Sequence, residues 1–210
     1  YYTCTKACTQ QTCPANATCT HGTSSTSGKT YYGSSCNASA STCSLSFTCN
    51  TGYSKNSEGT ACEPNEYTIT LDKNNAGAND TSTGTTTLYT RYNTNVYIDS
   101  ARSNAMTTSA NGITKPTKVF TVTYNPNDGS VSPTSANATS TFAGYYSTES
   151  SNNGSGTQYV GTSYITSDGL TKGKSITANA TWYAKWTAGT VTLPTPTRTG
   201  YTFNGWYTAA

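Results

Sequence analysis

Charge is what this 210-residue chain has least of: nine Asp plus Glu, twelve Lys plus Arg and a single His. Charged residues make up 10% of it, against roughly 25% in an average soluble domain. A net charge of +3 spread this thinly builds no phosphate-binding face, which argues against a nucleic-acid partner. No apolar run approaches the ~18 residues of a membrane helix, so no membrane insertion of this segment is expected. Leu, Glu and Lys, which sustain long helices, are scarce, and Met occurs once. Cysteine is missing from everything after Cys62. What is abundant is hydroxyl: 46 Thr and 26 Ser, together 72 residues, with 17 Tyr. Thr, Tyr and Val favour strands, so the expected fold class is all-β with little helix.

The eight cysteines are Cys4, Cys8, Cys13, Cys19, Cys36, Cys43, Cys49 and Cys62. Around them the chain has few apolar residues beyond Leu45, Phe47 and some tyrosines, too few to close a core. Disulfides supply the missing constraint, each worth about 2–4 kcal/mol. Zinc is the competing reading, but no pair shows the Cys-x2-Cys knuckle of structural zinc sites. His21, in a Gly/Ser/Thr-rich stretch, reads as a solvated side chain rather than a ligand. Eight cysteines allow on the order of a hundred pairings, so the connectivity stays open. Disulfides imply an oxidising, extracellular setting. The chain starts at Tyr1-Tyr2 with no initiator Met and no signal pattern, which reads as a processed chain or a piece of a longer one.

From about residue 64 the sequence is built from four recurring units. Tyr67-Thr68-Ile69-Thr70-Leu71, followed by Asp72, Asn74, Asn75 and Gly77, recurs as Phe120-Thr121-Val122-Thr123-Tyr124, followed by Asn125, Asn127, Asp128 and Gly129. Each is an alternating strand running into a turn. Thr87-Leu88-Tyr89-Thr90-Arg91-Tyr92 recurs as Thr181-Trp182-Tyr183-Ala184-Lys185-Trp186. Ile113-Thr114-Lys115-Pro116-Thr117-Lys118 recurs as Leu193-Pro194-Thr195-Pro196-Thr197-Arg198, whose prolines bar it from a central strand. Thr141-Phe142-Ala143-Gly144-Tyr145-Tyr146 recurs as Thr202-Phe203-Asn204-Gly205-Trp206-Tyr207. A glycine inside such a strand marks a bulge or a close backbone approach, and its flanking aromatics are the expected core.

Pro196 to Thr208, Pro-Thr-Arg-Thr-Gly-Tyr-Thr-Phe-Asn-Gly-Trp-Tyr-Thr, resembles the signature of the internalin-type B-repeat, also called the Listeria–Bacteroides repeat. Tyr183-Ala184-Lys185-Trp186 is similar to that family's closing strand, and Tyr67 to Asp72 to its opening strand. The resemblance spans about residues 65–210. It implies small β-grasp-like modules strung along bacterial surface proteins and adhesins, and it implies no catalytic residues. One departure is informative. Pro196 to Phe203 is seven positions, whereas Pro116 to Phe142 is twenty-six. The nineteen-residue difference holds the second opening-type strand, so the first module should be enlarged by a strand or a hairpin. The expected layout is a disulfide-rich module at 1–64 and an enlarged module at 65–188, readable as half repeats 65–118 and 119–188. Residues 189–210 are then the first part of a further repeat. An incomplete module needs either continuation of the chain or completion by a neighbouring copy through strand addition.

Catalytic chemistry has no local signature: the carboxylates are scattered, the single His stands far from any nucleophile elbow, and no phosphate loop appears. No enzyme activity and no cofactor or metal are therefore expected, and the turns after Asp72 and Asn125 mimic a calcium loop only weakly. Asn-x-Ser/Thr triplets at Asn16, Asn37, Asn79, Asn137, Asn153 and Asn179 are candidate glycan acceptors. The reading that follows is a structural or adhesive protein of the cell surface, a repeating unit of a rod, fibre or filament. Its partners are copies of itself or neighbouring repeats, met through Phe203, Trp206 and Tyr207, with glycans or a host surface as further candidates. The alternative is a carbohydrate-binding module using Trp182, Trp186, Trp206 and Tyr207. Burial discriminates, because sugar-stacking rings must face solvent.

Overall fold

A computed structural model describes residues 1–75, 80–109 and 112–208. They form two compact units, Tyr1–Asn65 and Glu66–Ala210.

In the first unit, β1 (Tyr2–Ala7) pairs antiparallel with β3 (Ser25–Thr30). Likewise β2 (Ala17–His21) pairs with β4 (Leu45–Cys49), and β5 (Tyr53–Lys55) with β6 (Cys62–Pro64). Isolated two-stranded ribbons are marginal in water. Within residues 1–65 a single residue is buried, Cys43 at 3% exposure, and it is a disulfide cysteine. The covalent framework therefore replaces a core. It joins Cys4 to Cys36, Cys8 to Cys43, Cys13 to Cys19 and Cys49 to Cys62, leaving no free cysteine. His21 differs from the solvated loop residue expected: it ends β2, half-buried, and its Nε2 hydrogen-bonds the Gln11 carbonyl at 2.8 Å.

The second unit is a mixed sheet of eight strands among the described residues. It contains β7 (Glu66–Asp72), β8 (Asp80–Ser82), β9 (Thr87–Arg91), β10 (Val96–Tyr97), β11 (Lys118–Thr123), β12 (Ser135–Ser150), β13 (Asn153–Val160) and β14 (Ala180–Thr187). The order is β10-β9-β7-β14-β12-β11-β8, and β13 pairs with β12. Strands β7 and β9 form an antiparallel pair, and β14 returns parallel to β7 through a crossover containing helix α1 (Ser167–Ser175). The nineteen extra residues do add a hairpin: β11 pairs with the first part of the long β12. The second part of β12 lies between β14 and β13.

Alternation places Ile69, Leu71, Leu88, Val96, Phe142, Tyr145, Tyr159, Trp182, Ala184 and Trp186 in one core. Met106, Ile113 and Ile165 fill it from the connections. With so few aliphatic residues, ring-to-ring contacts carry the packing. Phe142 meets Tyr145 at 5.1 Å and Trp186 at 5.3 Å, and Tyr159 meets Trp182 at 4.8 Å. Helix α1 has no counterpart in the sequence reading. Its N-cap Thr166 accepts from Gly169 N–H at 3.2 Å, Asp168 sits in the first turn, and Lys172 and Lys174 sit in the last. Leu170 and the following Ile176 pack onto the core.

Loop size predicts unequal disulfides. Cys8–Cys43 spans 35 positions and Cys13–Cys19 only six. Removing them should cost about 4 and about 2 kcal/mol respectively. Hydrogen exchange of the Cys8→Ala/Cys43→Ala and Cys13→Ala/Cys19→Ala variants reads this in residues 1–65. Full reduction should leave tryptophan fluorescence unchanged, because Trp182, Trp186 and Trp206 all belong to the second unit.

Candidate functional site

The two copies of the Thr-Phe-x-Gly-aromatic-Tyr unit meet different fates. In the first copy, Gly144 has φ 126° and stands at a register shift of β12 against β14. A left-handed or extended positive φ of this kind belongs to glycine, and a Cβ there would also collide with Val160 O and Gln158 Nε2. The bulge turns Phe142 and Tyr145 to the same side, where they are 2% and 0% exposed. Ala184 and Trp186 of β14 lie opposite them in the ladder.

In the second copy, Gly205 adopts nearly the same φ, 136°, yet a Cβ there would meet nothing within 4 Å. Phe203 is 39% and Tyr207 78% exposed. Residues 202–207 were expected as a strand, but they form no regular strand. A strand exists only by pairing, and no ladder partner lies beside this segment among the described residues.

The segment is nonetheless placed. Ser130 and Thr197 exchange two backbone hydrogen bonds of 2.8 Å, tying the Pro-rich connector to the β11–β12 turn. Arg198 Nη1 donates to Asn127 O at 2.9 Å, and its guanidinium lies 4.2 Å from the Tyr201 ring centroid. Its 3.8 Å approach to Asp128 is exposed and adds little. Trp206 Nε1 donates to Pro194 O at 2.8 Å, and its ring packs on Tyr124 at 5.3 Å and Phe203 at 5.7 Å. The result is an open cleft of about 660 Å³ lined by Asn125, Pro126, Arg198, Tyr201, Phe203 and Trp206 among others. Tyr124 and Arg198 were not singled out by sequence. The Pro-Thr-Arg unit beside a turn of repeated type was the available signal.

Of the four rings suggested as a sugar platform, Trp182 and Trp186 are excluded. They are 2% and 7% exposed, and Trp186 Nε1 donates to Lys73 O at 2.9 Å. Trp206 and Tyr207 remain available.

Asn16, Asn37, Asn137 and Asn179 are exposed. In three of these the side-chain oxygen is used, and the nitrogen has no hydrogen-bond partner among the described residues. Asn37 Oδ1 accepts from Lys29 N, Asn137 Oδ1 from Thr121 Oγ1, and Asn179 Oδ1 from Thr68 N. A glycan on Nδ2 is compatible with all three. Asn153 differs: its Nδ2 donates to Trp186 O at 3.0 Å and its Oδ1 accepts from Trp186 N at 2.7 Å, so it serves as a backbone clamp. Asn79 lies outside the described residues. The calcium-like turns spend oxygens on their own backbone, Asp72 Oδ1 on Asn74 N and Asn125 Oδ1 on Asn127 N.

Comparison with family models, with curated proteins and with solved structures returns no match for this chain. Its four disulfides call for an oxidising compartment, and no helix among the described residues is long and apolar enough to cross a membrane.

The contrast between the glycines is measurable. Gly144→Ala should destabilise the second unit by about 3 kcal/mol or more, through strain and collision together. Gly205→Ala should cost about 1 kcal/mol, from backbone conformation alone. Urea unfolding followed by tryptophan fluorescence compares them.

Proposed function

We propose that this chain is a non-enzymatic extracellular protein of structural or adhesive type, a repeating unit of a bacterial surface rod, fibre or filament. Units meet through Phe203, Trp206 and Tyr207. One observation carries the reading: the same motif, with the same glycine conformation, is closed by β14 in its first copy and open in its second. An open copy is completed by a strand that supplies what β14 supplies, an aromatic ring against the Phe and a small residue against the following ring. The internalin-type B-repeat resemblance fits this assignment. So do the parallel β7–β14 pair and the crossover helix, which match a β-grasp-like arrangement. The first unit serves as a protease-resistant spacer tied by disulfides, and exposed Asn37, Asn137 and Asn179 are surfaces for attached sugar.

Binding of a carbohydrate is the second reading, favoured by the cleft itself. Exposed Tyr201 and Tyr207 stand beside amide and guanidinium groups at Asn125, Asn127 and Arg198. Tyr faces stack on sugar rings, and amides bind their hydroxyls.

Electron microscopy and analytical ultracentrifugation of the purified chain separate the two. Assembly predicts concentration-dependent polymers, with Trp206→Ala weakening self-association at least ~30-fold. Discrete monomers at high concentration, together with glycan-array binding lost in the same variant, would establish the carbohydrate reading instead.

A further inference from the structure

Asn-Gly dipeptides occur at 111–112, 153–154 and 204–205. Asn111 lies outside the described residues, and the other two pairs stand in opposite surroundings. Asn153 is clamped: its Nδ2 donates to Trp186 O at 3.0 Å and its Oδ1 accepts from Trp186 N at 2.7 Å. Gly154 is buried in β13, in register with Glu149 of β12. A Cβ on Gly154 would lie 2.4 Å from Tyr183 O, so the main chain of β14 is packed against it. Turning either residue breaks the clamp or the ladder.

Asn204 and Gly205 have no such ties. Asn204 is exposed, and neither its carboxamide nor the Gly205 N–H has a hydrogen-bond partner among the described residues. A Cβ on Gly205 would meet nothing within 4 Å. The chain is anchored on both sides of the pair, by Tyr201 N donating to Arg198 O at 3.2 Å and by Trp206 Nε1 donating to Pro194 O at 2.8 Å. The closed copy of the motif has Ala143 before its Gly144, so it carries no carboxamide at that place.

We propose that Asn204-Gly205 is a self-modification site, where the asparagine converts to aspartate and isoaspartate in the folded chain. The Gly205 main-chain nitrogen attacks the Asn204 carboxamide carbon. The new C–N bond closes a succinimide ring, the bond from that carbon to Nδ2 breaks, and Nδ2 leaves as ammonia with the proton that the main-chain nitrogen gives up. Water then opens the ring. Attack at the side-chain carbonyl gives aspartate; attack at the main-chain carbonyl gives isoaspartate, whose chain runs on through the side chain. Nothing is oxidised or reduced, and water is the co-reactant. Neighbours in sequence need no encounter, and glycine has no side chain beside its nitrogen to hinder the approach. Both products put a carboxylate on the wall of the cleft that Arg198 also lines, and isoaspartate lengthens the main chain by one carbon ahead of Trp206. The cleft thus carries a clock: its charge and the spacing of its rings change with the age of the chain, whichever ligand it takes.

Peptide mapping over time decides the matter. The full disulfide-bonded chain is aged at neutral pH, in buffer and in guanidinium chloride, and samples are reduced, alkylated and digested with trypsin. Electron-transfer fragmentation locates each gain of about 1 Da, ammonia lost and water gained, and tells isoaspartate from aspartate. In buffer, Asn204 should convert within about threefold of its rate in denaturant, whereas Asn153 should convert at least ~30-fold more slowly in buffer than in denaturant, because its clamp must open first. Isoaspartate should be among the products at 204, and Gly205→Ala should slow their formation ~10-fold or more by placing a methyl group beside the attacking nitrogen. The proposal is overturned if Asn204 stays intact in buffer while the denatured chain converts, or if Asn153 keeps pace with it in buffer. Aspartate as the sole product, formed as fast in Gly205→Ala, overturns it too, since that is direct hydrolysis without the ring.

Discussion

The second unit depends on one strand having the right two neighbours. β14 lies between β7, parallel to it, and β12, antiparallel to it, and it turns Trp182, Ala184 and Trp186 into the interior. Those rings meet Tyr159 and Phe142, the contacts that stand in for the leucines and isoleucines the chain lacks. Large rings pack only in register, and the register is set by the bulge at Gly144. Without it Tyr145 would turn away from Phe142, because strand side chains alternate. A sheet edge, a helix and the Pro-containing connector are then added around a row of aromatic residues.

The two units solve the same problem by different means. Residues 1–65 have almost nothing to bury and rely on covalent closure. Residues 66–208 bury aromatics and reinforce them with polar clamps such as Asn153 on Trp186 and Asn74 on Ala184. Such clamps occupy the backbone groups that a bulged, irregular sheet leaves over, which is where an interior polar side chain lowers energy rather than raising it.

Much of this was legible in the residues. The all-β class followed from Thr, Tyr and Val with little charge, and the disulfides from eight cysteines without a zinc knuckle. The added hairpin followed from counting positions between two prolines and two phenylalanines. The glycine at the bulge followed from an aromatic pattern interrupted at one place. What escaped was whatever depends on long-range partners. Helix α1 is short and polar, with glycines at 169 and 173, so no apolar period announces it. The disulfide pairing is one choice among many of equal local merit. Trp182 and Trp186 look as suitable for stacking on sugar as Trp206, and only the strands beside them make the difference. The cleft itself joins a turn to a connector some seventy positions away, and no local pattern links Asn127 to Arg198.

The near absence of buried residues in the first unit has a thermal consequence. The heat capacity of unfolding comes from apolar surface newly exposed to water, and residues 1–65 have little to expose. Their stability curve is therefore shallow: it neither peaks sharply near room temperature nor falls steeply on either side. The aromatic unit, with its hidden rings, obeys the ordinary dome. A protein built from both keeps one section whose hold on its shape hardly varies between cold and warm surroundings.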